Sequence, residues 1–400
     1  MYRHARRHAT VVLSLAASLS VTQSMLPNAN ASPAPVGPVL VASGLDNPRG
    51  LVFGDNGLLY VGEAGHAGPT CTAGPGEIGP TCIGFTSRIS SIRTSNGKRR
   101  TVIDGLPSIG TAVASTGIDG VAFDDGQVAG IITGSPQGVP PDACTGQPEP
   151  ACSQAVAKAK RRLGDLVVAQ DGKAKTEAEV GRFNYQWIVD HKATVDPANP
   201  DFRPGDSNPY GITAGPNDGW YVVDAGSNTL DYVDRRGKIK VLTYLPNPPG
   251  AADQRFPYDA VPTCVATSGR TVWIGTLSGQ VYRWDGHTAT LVADRGDGLT
   301  AISGCGTDRA GNLYVSNLFG LTQQTFFAPH SGSVSKVTPS GVVTTVAGSE
   351  GLSYPAGIAV DRKGSLFVAV QSICPKDLAL VGPGDPPFCD QPGQVVRLAT

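Results

Sequence analysis

Gly50-Leu51-Val52-Phe53 leads through a glycine-bearing turn to Leu59-Tyr60-Val61. This sequence pattern, here called the phrase, occurs six times along the 400-residue chain. In each copy an apolar run leads through the turn to a second apolar run that closes the phrase. The other five copies begin at Gly120, Gly211, Thr263, Gly304 and Gly357. Because short strands repeated in this way are typical of radially repeated sheets, the repeat decides the predicted fold.

The number of strands per unit comes from the residues after each phrase. A third and a fourth run come next, as in Leu230-Asp231-Tyr232-Val233 and Lys240-Val241-Leu242-Thr243. Apolar and polar residues alternate, and valine, isoleucine and threonine lie between turns rich in glycine and aspartate, as in β-strands. Four strands per unit predict an all-β fold, a six-bladed β-propeller with four-stranded blades.

The two ends of the chain supply one blade between them. The last unit stops after its third strand, Gln394–Leu398, and the missing fourth strand matches Val39–Leu45 near the N-terminus. That segment resembles Thr101–Leu106, which ends the first unit. Pairing the two ends covers strand edges that would otherwise be exposed, so we expect the last blade to be closed by an N-terminal strand.

The N-terminal segment has the features of a secretory signal peptide. Three arginines within the first seven residues precede the apolar stretch Val11–Val21, and Ala29-Asn30-Ala31 offers small residues for cleavage after Ala31. The apolar stretch is too short to span a bilayer, so no stable membrane anchor is expected. We therefore predict a secreted, extracellular protein.

The length after the signal peptide would usually suggest two domains, but a single propeller of this length is ordinary, so one domain is expected. We divide the chain into a signal peptide (1–31), a flexible tail (32–37) and a single propeller domain (38–400). The formal net charge is −1, 16% of residues are charged, and runs of lysine and arginine are short, which argues against nucleic acid as a partner. A monomer is the expected state.

The eight cysteines predict disulfide bonds, because their number is even and the chain is predicted to be exported. Proximity in sequence suggests three pairs that staple Gly/Pro-rich insertions, namely Cys71–Cys82, Cys144–Cys152 and Cys374–Cys389. Cys264 and Cys305 occupy the same position in the first strands of successive units. They either bridge neighbouring blades or are two small buried core residues, since equivalent inner strands can lie too far apart for a disulfide.

Four insertions interrupt the repeat, at Gly65–Phe85, Gly134–Arg162, Gly181–Pro204 and Ile373–Pro392. The second contains a helical pattern over Ser153–Leu163, and the third contains a short amphipathic pattern over Phe183–His191. One or two short capping helices are therefore expected on one face of the disc. Such insertions either form a recognition surface, because loops carry specificity, or pack as a lid without a ligand.

Three longer phrases carry a family resemblance: Ala42-Ser43-Gly44-Leu45-Asp46-Asn47-Pro48-Arg49-Gly50-Leu51, Tyr60-Val61-Gly62-Glu63-Ala64-Gly65 and Asp206-Ser207-Asn208-Pro209-Tyr210-Gly211. With these phrases the chain from Val39 onward resembles the ScyD/ScyE family of exported β-propellers. That family is similar in shape to NHL-repeat and gluconolactonase-like six-bladed propellers. The resemblance implies the propeller fold and brings no established reaction, so function has to be argued from the residues.

A ring of oxygen-bearing side chains is predicted around the propeller axis. Residues just before each first strand and just after each second strand emerge on the same face, and they include Asp46, Asn47, Glu63, Asp119, Asp206, Asn208, Asp224 and Asn317. The candidate ligands for a calcium ion, which takes roughly six to eight oxygens, are Glu63, Asp206, Asn208, Asp224 and Asn317. The alternative is that these residues cap turns by accepting local backbone N–H groups.

Motifs for catalysis are poorly represented. The sequence contains no zinc-binding motif and no Gly-x-Ser-x-Gly elbow, so no catalytic residue is assigned. The first function class is an exported binding or scaffold protein that recognises a small molecule, glycan or protein on the axial face. The alternative is a calcium-dependent hydrolase of lactonase or esterase type, in which the ion polarises a carbonyl. The missing catalytic set favours the binding protein.

Overall fold

The computed structural model describes residues 37–76, 79–111, 113–139, 142–195, 205–248, 259–320, 322, 328–381 and 388–398. All of them belong to the unit Pro35–Thr400. The predicted signal peptide and nearly all of the predicted tail lie outside the described residues, so both stay predictions.

Strands dominate the described part of the chain. In its first half they are β1 (Val39–Leu45), β2 (Pro48–Phe53), β3 (Leu59–Glu63), β4 (Thr70–Gly76), β5 (Gly79–Arg93), β6 (Lys98–Gly110), β7 (Ile118–Asp124), β8 (Gln127–Ile132), β9 (Asp165–Gln170) and β10 (Lys173–Glu179). In its second half they are β11 (Pro209–Ala214), β12 (Trp220–Asp224), β13 (Thr229–Val233), β14 (Ile239–Tyr244), β15 (Pro262–Ser268), β16 (Thr271–Thr276), β17 (Val281–Trp284), β18 (Ala289–Ala293), β19 (Ile302–Thr307), β20 (Leu313–Asn317), β21 (Ser333–Val337), β22 (Val343–Thr345), β23 (Ile358–Val360), β24 (Leu366–Val370) and β25 (Gly393–Leu398). The helices are α1 (Ala151–Lys160), α2 (Val180–Val195) and short 3-10 turns at Pro216–Asp218, Arg295–Asp297 and Leu378–Leu380.

The strands form six antiparallel sheets, and each sheet is one blade of a six-bladed β-propeller. Blade 1 is β2-β3-β5-β6, blade 2 is β7 to β10, blade 3 is β11 to β14, blade 4 is β15 to β18, blade 5 is β19 to β22 and blade 6 is β23-β24-β25-β1. The innermost strand of each blade contacts that of the next, and β23 contacts β2, which completes the ring. The predicted fold is confirmed, with one addition: β4 pairs with the long β5 and gives blade 1 a fifth strand.

Strand β1 closes blade 6 as predicted. It pairs antiparallel with β25, with Val39 opposite Arg397 and Leu45 opposite Gly393. Leu45 is fully buried and belongs to the same apolar cluster as Val395. The edge of β25 is thereby covered, which removes a pairing surface for other chains.

A glycine at the start of the inner strands explains the recurring phrase. At Gly357 the backbone oxygen of Arg49 lies 2.2 Å from the place that a Cβ would occupy, and at Gly304 the backbone oxygen of Ala356 lies 2.3 Å from it. A side chain at either position would clash with the backbone of the next blade. The glycine therefore allows neighbouring inner strands to approach closely around the axis.

All four predicted disulfides are present, including Cys264–Cys305 between blades 4 and 5. The alignment of these two cysteines was wrong by one residue, because the first hairpin of blade 4 is one residue shorter than that of blade 5. Cys264 occupies the place that Gly304 has in blade 5, where the residue faces the next blade. This offset brings the two Cα atoms to 5.7 Å, within the range of disulfides, and resolves the question of distance.

Both predicted capping helices are present. Helix α1 begins two residues before the predicted Ser153–Leu163 and ends three residues earlier, whereas α2 is longer at both ends than the predicted Phe183–His191. Each helix lies in a connection on the face of the disc where the inner strands begin. Within the described ranges, no helix is long and apolar enough to cross a membrane.

Candidate functional site

The two faces of the disc differ because of the way the strands run. On one face, here called the loop face, each inner strand begins and each second strand ends. On the other, the hairpin face, each inner strand turns directly into the second strand of its blade. All four insertions of the repeat fall in connections on the loop face. The predicted calcium ligands also lie at that end of their strands.

Glu63, at the end of β3, is fully buried and holds polar and cationic groups. Its carboxylate accepts hydrogen bonds from the backbone N–H of Asp46 at 2.8 Å, from Arg88 at 3.1 Å and from the hydroxyl of Ser90. Asp46 in turn lies 2.8 Å from Nδ1 of His66. The carboxylate of Glu63 is therefore already paired with the guanidinium group of Arg88.

Asp224, at the end of β12, is fully buried and accepts hydrogen bonds on both oxygens. Oδ1 accepts from three backbone N–H groups, among them that of Asn208 at 2.8 Å. Oδ2 accepts from the hydroxyl of Ser207 at 2.6 Å and from the amide of Asn184, in α2, at 3.0 Å. The side-chain oxygen of Asn208 accepts from the N–H of Gly134 at 2.8 Å. These two predicted ligands are neighbours, but local donors use their oxygens.

Asn317, at the end of β20, repeats this arrangement. Its Oδ1 accepts from the backbone N–H of Thr300 at 3.0 Å, and its Nδ2 donates to the hydroxyl of Ser335 at 2.9 Å. In blades 1, 3 and 5, the last residue of the second strand thus accepts a hydrogen bond from the segment before the first strand. That is the arrangement which the turn-capping alternative predicts.

The predicted calcium ligands are spread over three blades and the segments before them. Asp206 lies beside a small cavity of about 20 Å³. In the part of the chain that the structure describes, no three His, Cys, Asp or Glu side chains are arranged to hold a metal ion. The hydrogen bonds at Glu63, Asp224 and Asn317 support the turn-capping interpretation, and a shared calcium ion stays a prediction.

A second set of polar residues lies near the axis, where the inner strands are irregular. In blades 1 to 5 the pairing between the inner and second strands shifts near the start of the inner strand, and such β-bulges re-aim a side chain. The residues at these shifts, which we call the axial layer, are Arg49, Asp119, Tyr210, Thr263 and Ser303.

The axial layer joins neighbouring blades. Nε of Arg49 in blade 1 lies 3.3 Å from Oδ1 of Asp119 in blade 2, and another nitrogen of Arg49 donates to the carbonyl of Ser115 at 2.9 Å. Ser303 in blade 5 donates to the carbonyl of Pro355, just before blade 6, at 2.7 Å. The layer therefore has a structural role, and the Arg49–Asp119 pair is its charged part.

Asp119 is a buried carboxyl group with one cationic neighbour. Only 2% of Asp119 and 6% of Arg49 are exposed. Burial raises the pKa of Asp119 to about 6, although Arg49 opposes the shift, and burial raises the pKa of Tyr210 to about 12. Contacts with the side chain of Thr133 and the backbone of Gly117 also lower the pKa of Asp119, although neither of its oxygens has a hydrogen bond of ideal geometry. The carboxyl group is therefore held within the fold by Arg49 and by these weaker contacts.

A cavity of about 290 Å³, here called the axial cavity, lies on the hairpin-face side of the axial layer. All six inner strands line it, through residues 51–53, 121–123, 212–214, 265–267, 305–307 and 358–360. Leu51, at its inner end, is two positions along the strand from Arg49, or about 7 Å. Because an innermost strand has one unpaired edge, its backbone N–H and C=O groups contribute to the lining.

The axial cavity adjoins a larger groove of about 640 Å³ on the hairpin face. Thr267, Thr307 and Val360 line both spaces, and the groove runs along the hairpins of blades 4, 5 and 6. One elongated molecule can therefore contact the groove and the cavity together.

Loops cover the opposite side of the axial layer. Ser115 accepts the hydrogen bond from Arg49, and the N–H of the adjacent Ala114 donates to the carbonyl of Ile373 at 2.9 Å. Val113, Tyr354 and Ile373 belong to one buried apolar cluster at this end. The axial cavity thus lies at the end of the axis opposite to the face on which the sequence predicts recognition.

Four members of the axial layer were not predicted as site residues, namely Arg49, Tyr210, Thr263 and Ser303. The sequence places Asp119 in the ring around the axis, but Arg49 and Tyr210 were not selected. Their one signal is that each directly precedes the recurring glycine of its blade, as Asp119 does. That position can be recognised only when the phrases are aligned by the glycine.

Comparisons with known proteins support the fold. No protein-family model matches the chain, and no curated protein matches it. Among solved structures, a protein of unknown function from Bacteroides thetaiotaomicron has a TM-score of 0.50 at 10% sequence identity, and the match covers 90% of this chain and 75% of that one.

Two further structures have lower TM-scores. A gluconolactonase from Xanthomonas campestris has a TM-score of 0.49 at 11% identity, covering 91% of this chain and 96% of that one. A calcium-binding protein, regucalcin, from Agrobacterium tumefaciens has a TM-score of 0.49 at 13% identity, covering 92% and 94%. Similarity at this level concerns the propeller fold alone. The chain is a six-bladed β-propeller with an axial cavity, and its resemblance to the ScyD/ScyE family stays a prediction.

Proposed function

We propose that this protein binds a small molecule in the axial cavity, which the ligand enters from the hairpin face. The proposal is carried by one observation: all six inner strands line one cavity, whose inner end at Leu51 lies two positions along the strand from Arg49 of the buried Arg49–Asp119 pair. A ligand in this cavity would meet apolar side chains, hydroxyl groups and the unpaired backbone edges of the inner strands. Such binding needs no catalytic set.

The size and lining of the axial cavity support this proposal. Its volume of about 290 Å³ is close to the lower end of small-molecule sites, roughly 300–1,000 Å³. The lining combines apolar side chains, such as Leu51 and Ile212, with the hydroxyl-bearing residues Thr213 and Thr267. Sites of this kind hold a ligand by apolar contact and orient it through a few polar groups.

The disulfides support a role outside the cell. Four bonds in one chain indicate an oxidising environment, in agreement with the export that the N-terminal segment predicts. We therefore propose that the ligand is met after export.

A substitution that blocks the cavity tests the proposal. Thr213 lines the cavity, whereas Thr290 is an exposed residue of the outer strand β18 and serves as the matched control. Wild type, Thr213→Trp and Thr290→Trp are screened by thermal shift against small molecules and oligosaccharides, because a ligand of the folded state raises Tm. We expect compounds that stabilise wild type and Thr290→Trp but not Thr213→Trp. Equal shifts in all three proteins would contradict an axial site.

A calcium-dependent hydrolase of lactonase or esterase type is the second candidate, and the observation that favours it is again Asp119. A carboxyl group near the axis with a pKa of about 6 exchanges its proton near neutral pH, as a general base does. The test is hydrolysis of lactones and esters, in calcium and in chelator, by wild type and Asp119→Asn. Activity that Asp119→Asn loses and Thr290→Trp keeps would support this candidate. Hydrolysis that is unchanged in Asp119→Asn would contradict it.

A further inference from the structure

The hairpin face is divided in charge around the mouth of the axial cavity. The first hairpins of blades 1 to 3 carry Asp55, Asp124, Asp125 and Asp218, whereas those of blades 4 to 6 carry Arg270, Arg309, Arg362 and Lys363. The carboxylates of the acidic half lie close enough to interact, since the pKa of Asp124 is raised by burial and then by Asp218 and Asp125. One half of the mouth is therefore acidic and the other basic, and within the acidic half Arg235 pairs with Asp218 at 3.0 Å.

The two aspartates within the basic half accept hydrogen bonds from the backbone of their own hairpins. Asp308 accepts a hydrogen bond from the backbone N–H of Asn312 at 2.9 Å. Asp361 accepts from the backbone N–H of Lys363 at 2.8 Å and from that of Ser365 at 2.9 Å. Their carboxylates hold the turns together, so the groove is lined by these two anions and by the three cations Arg309, Arg362 and Lys363.

Three cations line the groove of about 640 Å³: Arg309, Arg362 and Lys363. Arg362 lies 3.7 Å from a carboxylate oxygen of Asp55, on the hairpin of the neighbouring blade 1. Arg309 and Lys363 are exposed, and neither forms an ion pair with another residue in the described ranges. Their charged groups are therefore available to a ligand.

We infer that the ligand is a small organic anion, whose oxyanion group contacts Arg309 and Lys363 while its uncharged body occupies the axial cavity. This inference rests on the proposed function, because the body of the ligand needs that cavity. The groove and the cavity share lining residues, so one molecule reaches both. The acidic half of the mouth repels the oxyanion and so determines which way the ligand lies.

Two probes of nearly the same shape, one anionic and one neutral, test the inference: naphthalene-2-sulfonate and naphthalene-2-sulfonamide. Their dissociation constants are measured for wild type and for the double variant Arg309→Gln/Lys363→Gln. The matched control is Lys173→Gln/Lys240→Gln, which removes two exposed cations from the outer strands β10 and β14. We expect wild type to prefer the sulfonate, and the groove variant to lose about tenfold in sulfonate affinity while the control keeps it. Sulfonate binding should also weaken with added salt.

The outcomes separate the two proposals. Equal affinity of wild type for the two probes, or equal losses in both double variants, would overturn the anionic ligand. If Thr213→Trp abolishes the binding of both probes while the groove variant leaves sulfonate binding intact, the axial site stands and the anion inference fails. If Thr213→Trp leaves sulfonate binding unchanged, the axial site fails. No binding of either probe to wild type counts against both.

Discussion

At the scale of single residues, Asp119 is subject to two opposing effects. Arg49, 3.3 Å away, stabilises its ionised form, yet burial still raises its pKa to about 6. The loss of hydration therefore outweighs the ion pair together with the weaker contacts of Thr133 and Gly117. As a consequence, Asp119 is mostly protonated at pH 5 and mostly ionised at pH 7. The axial layer changes its charge within a range that many environments cover.

We expect Asp119 to make the folded state less stable as pH rises from about 4 to about 6. An unfolded aspartate titrates near 3.8, so the folded protein holds this proton more tightly. The stabilisation is complete below the unfolded pKa and is lost as pH rises through the folded one. A difference of about two pKa units corresponds to at most about 3 kcal/mol.

Urea unfolding at pH 4 and pH 7 measures this effect, and the isosteric Asp119→Asn should show a flatter dependence than wild type. Asp165, whose pKa burial raises to about 7, contributes the same trend in both proteins. The comparison therefore has to be made between the variants. Parallel pH profiles for the two proteins would show that Asp119 does not titrate in this window.

Asp224 distinguishes the capping network from the predicted calcium ion. Its removal leaves three backbone N–H groups and the hydroxyl of Ser207 without an acceptor. We expect Asp224→Ala to cost about 3 kcal/mol or more, and the same amount in calcium as in chelator. Thermal unfolding under both conditions is the measurement. A rise in Tm with calcium that wild type shows and the variant lacks would support the shared ion instead.

The sequence could indicate some of these residues but not their contacts. Glu63, Asp224 and Asn317 stand at matching places in the repeat, so their common location was predictable. Whether their oxygens meet a metal ion or backbone N–H groups depends on loop conformation, which has no periodic signal. Arg49 and Tyr210 were missed because a β-bulge depends on pairing with the next strand.

At the scale of secondary-structure elements, the predictions were wrong about the length of one hairpin and missed one short strand. Cys264 was misaligned because a hairpin that is shorter by one residue leaves the apolar pattern almost unchanged. Strand β4 was missed because Thr70–Gly76 contains glycine and proline and lacks alternation. Its pairing with β5 includes the disulfide-bonded Cys71 and Cys82, which lie opposite each other.

The disulfide between blades should stabilise the fold more than a disulfide within one insertion. Cys264–Cys305 closes 41 residues and Cys144–Cys152 closes 8. From the loss of chain entropy in the unfolded state, we expect removal of the first pair by alanine to cost about 4 kcal/mol and removal of the second about 2.5 kcal/mol. Denaturant unfolding of the two double variants provides the comparison. A larger loss for the insertion pair would show that the bond between blades adds little.

At the scale of the whole molecule, the fold was predictable because each of the six copies of the repeat predicts one blade. The copy at Gly120 is weaker, because Gly130 stands where the other copies have an aromatic residue, yet the pattern is still recognisable and the order of blades follows from the order of phrases. The location of the axial cavity was not predictable in the same way. It depends on which end of the axis the loops cover, and the cluster of Val113, Tyr354 and Ile373 joins segments far apart in the sequence.

Deletion of β1 should destabilise the entire propeller. Removing Val39–Leu45 exposes the edge of β25 and opens blade 6, whereas removing Ser32–Gly37 takes away only the segment before it. We expect a large fall in Tm for the first deletion and little change for the second, measured by calorimetry against a chain that begins at Ser32. Equal midpoints for the two truncated proteins would contradict closure by the N-terminal strand.

The pairing of β1 with β25 also constrains the order in which the blades can fold. The ribosome makes β1 before any other strand of the propeller, and it makes the partner of β1 last. Blades 1 to 5 can each be completed during synthesis, but β1 has to wait until almost the whole chain has been produced, and contacts so distant in sequence form slowly. A premature stop codon just before Gly393 would therefore destabilise the propeller as much as deletion of β1 does, because β1 would have no strand with which to pair.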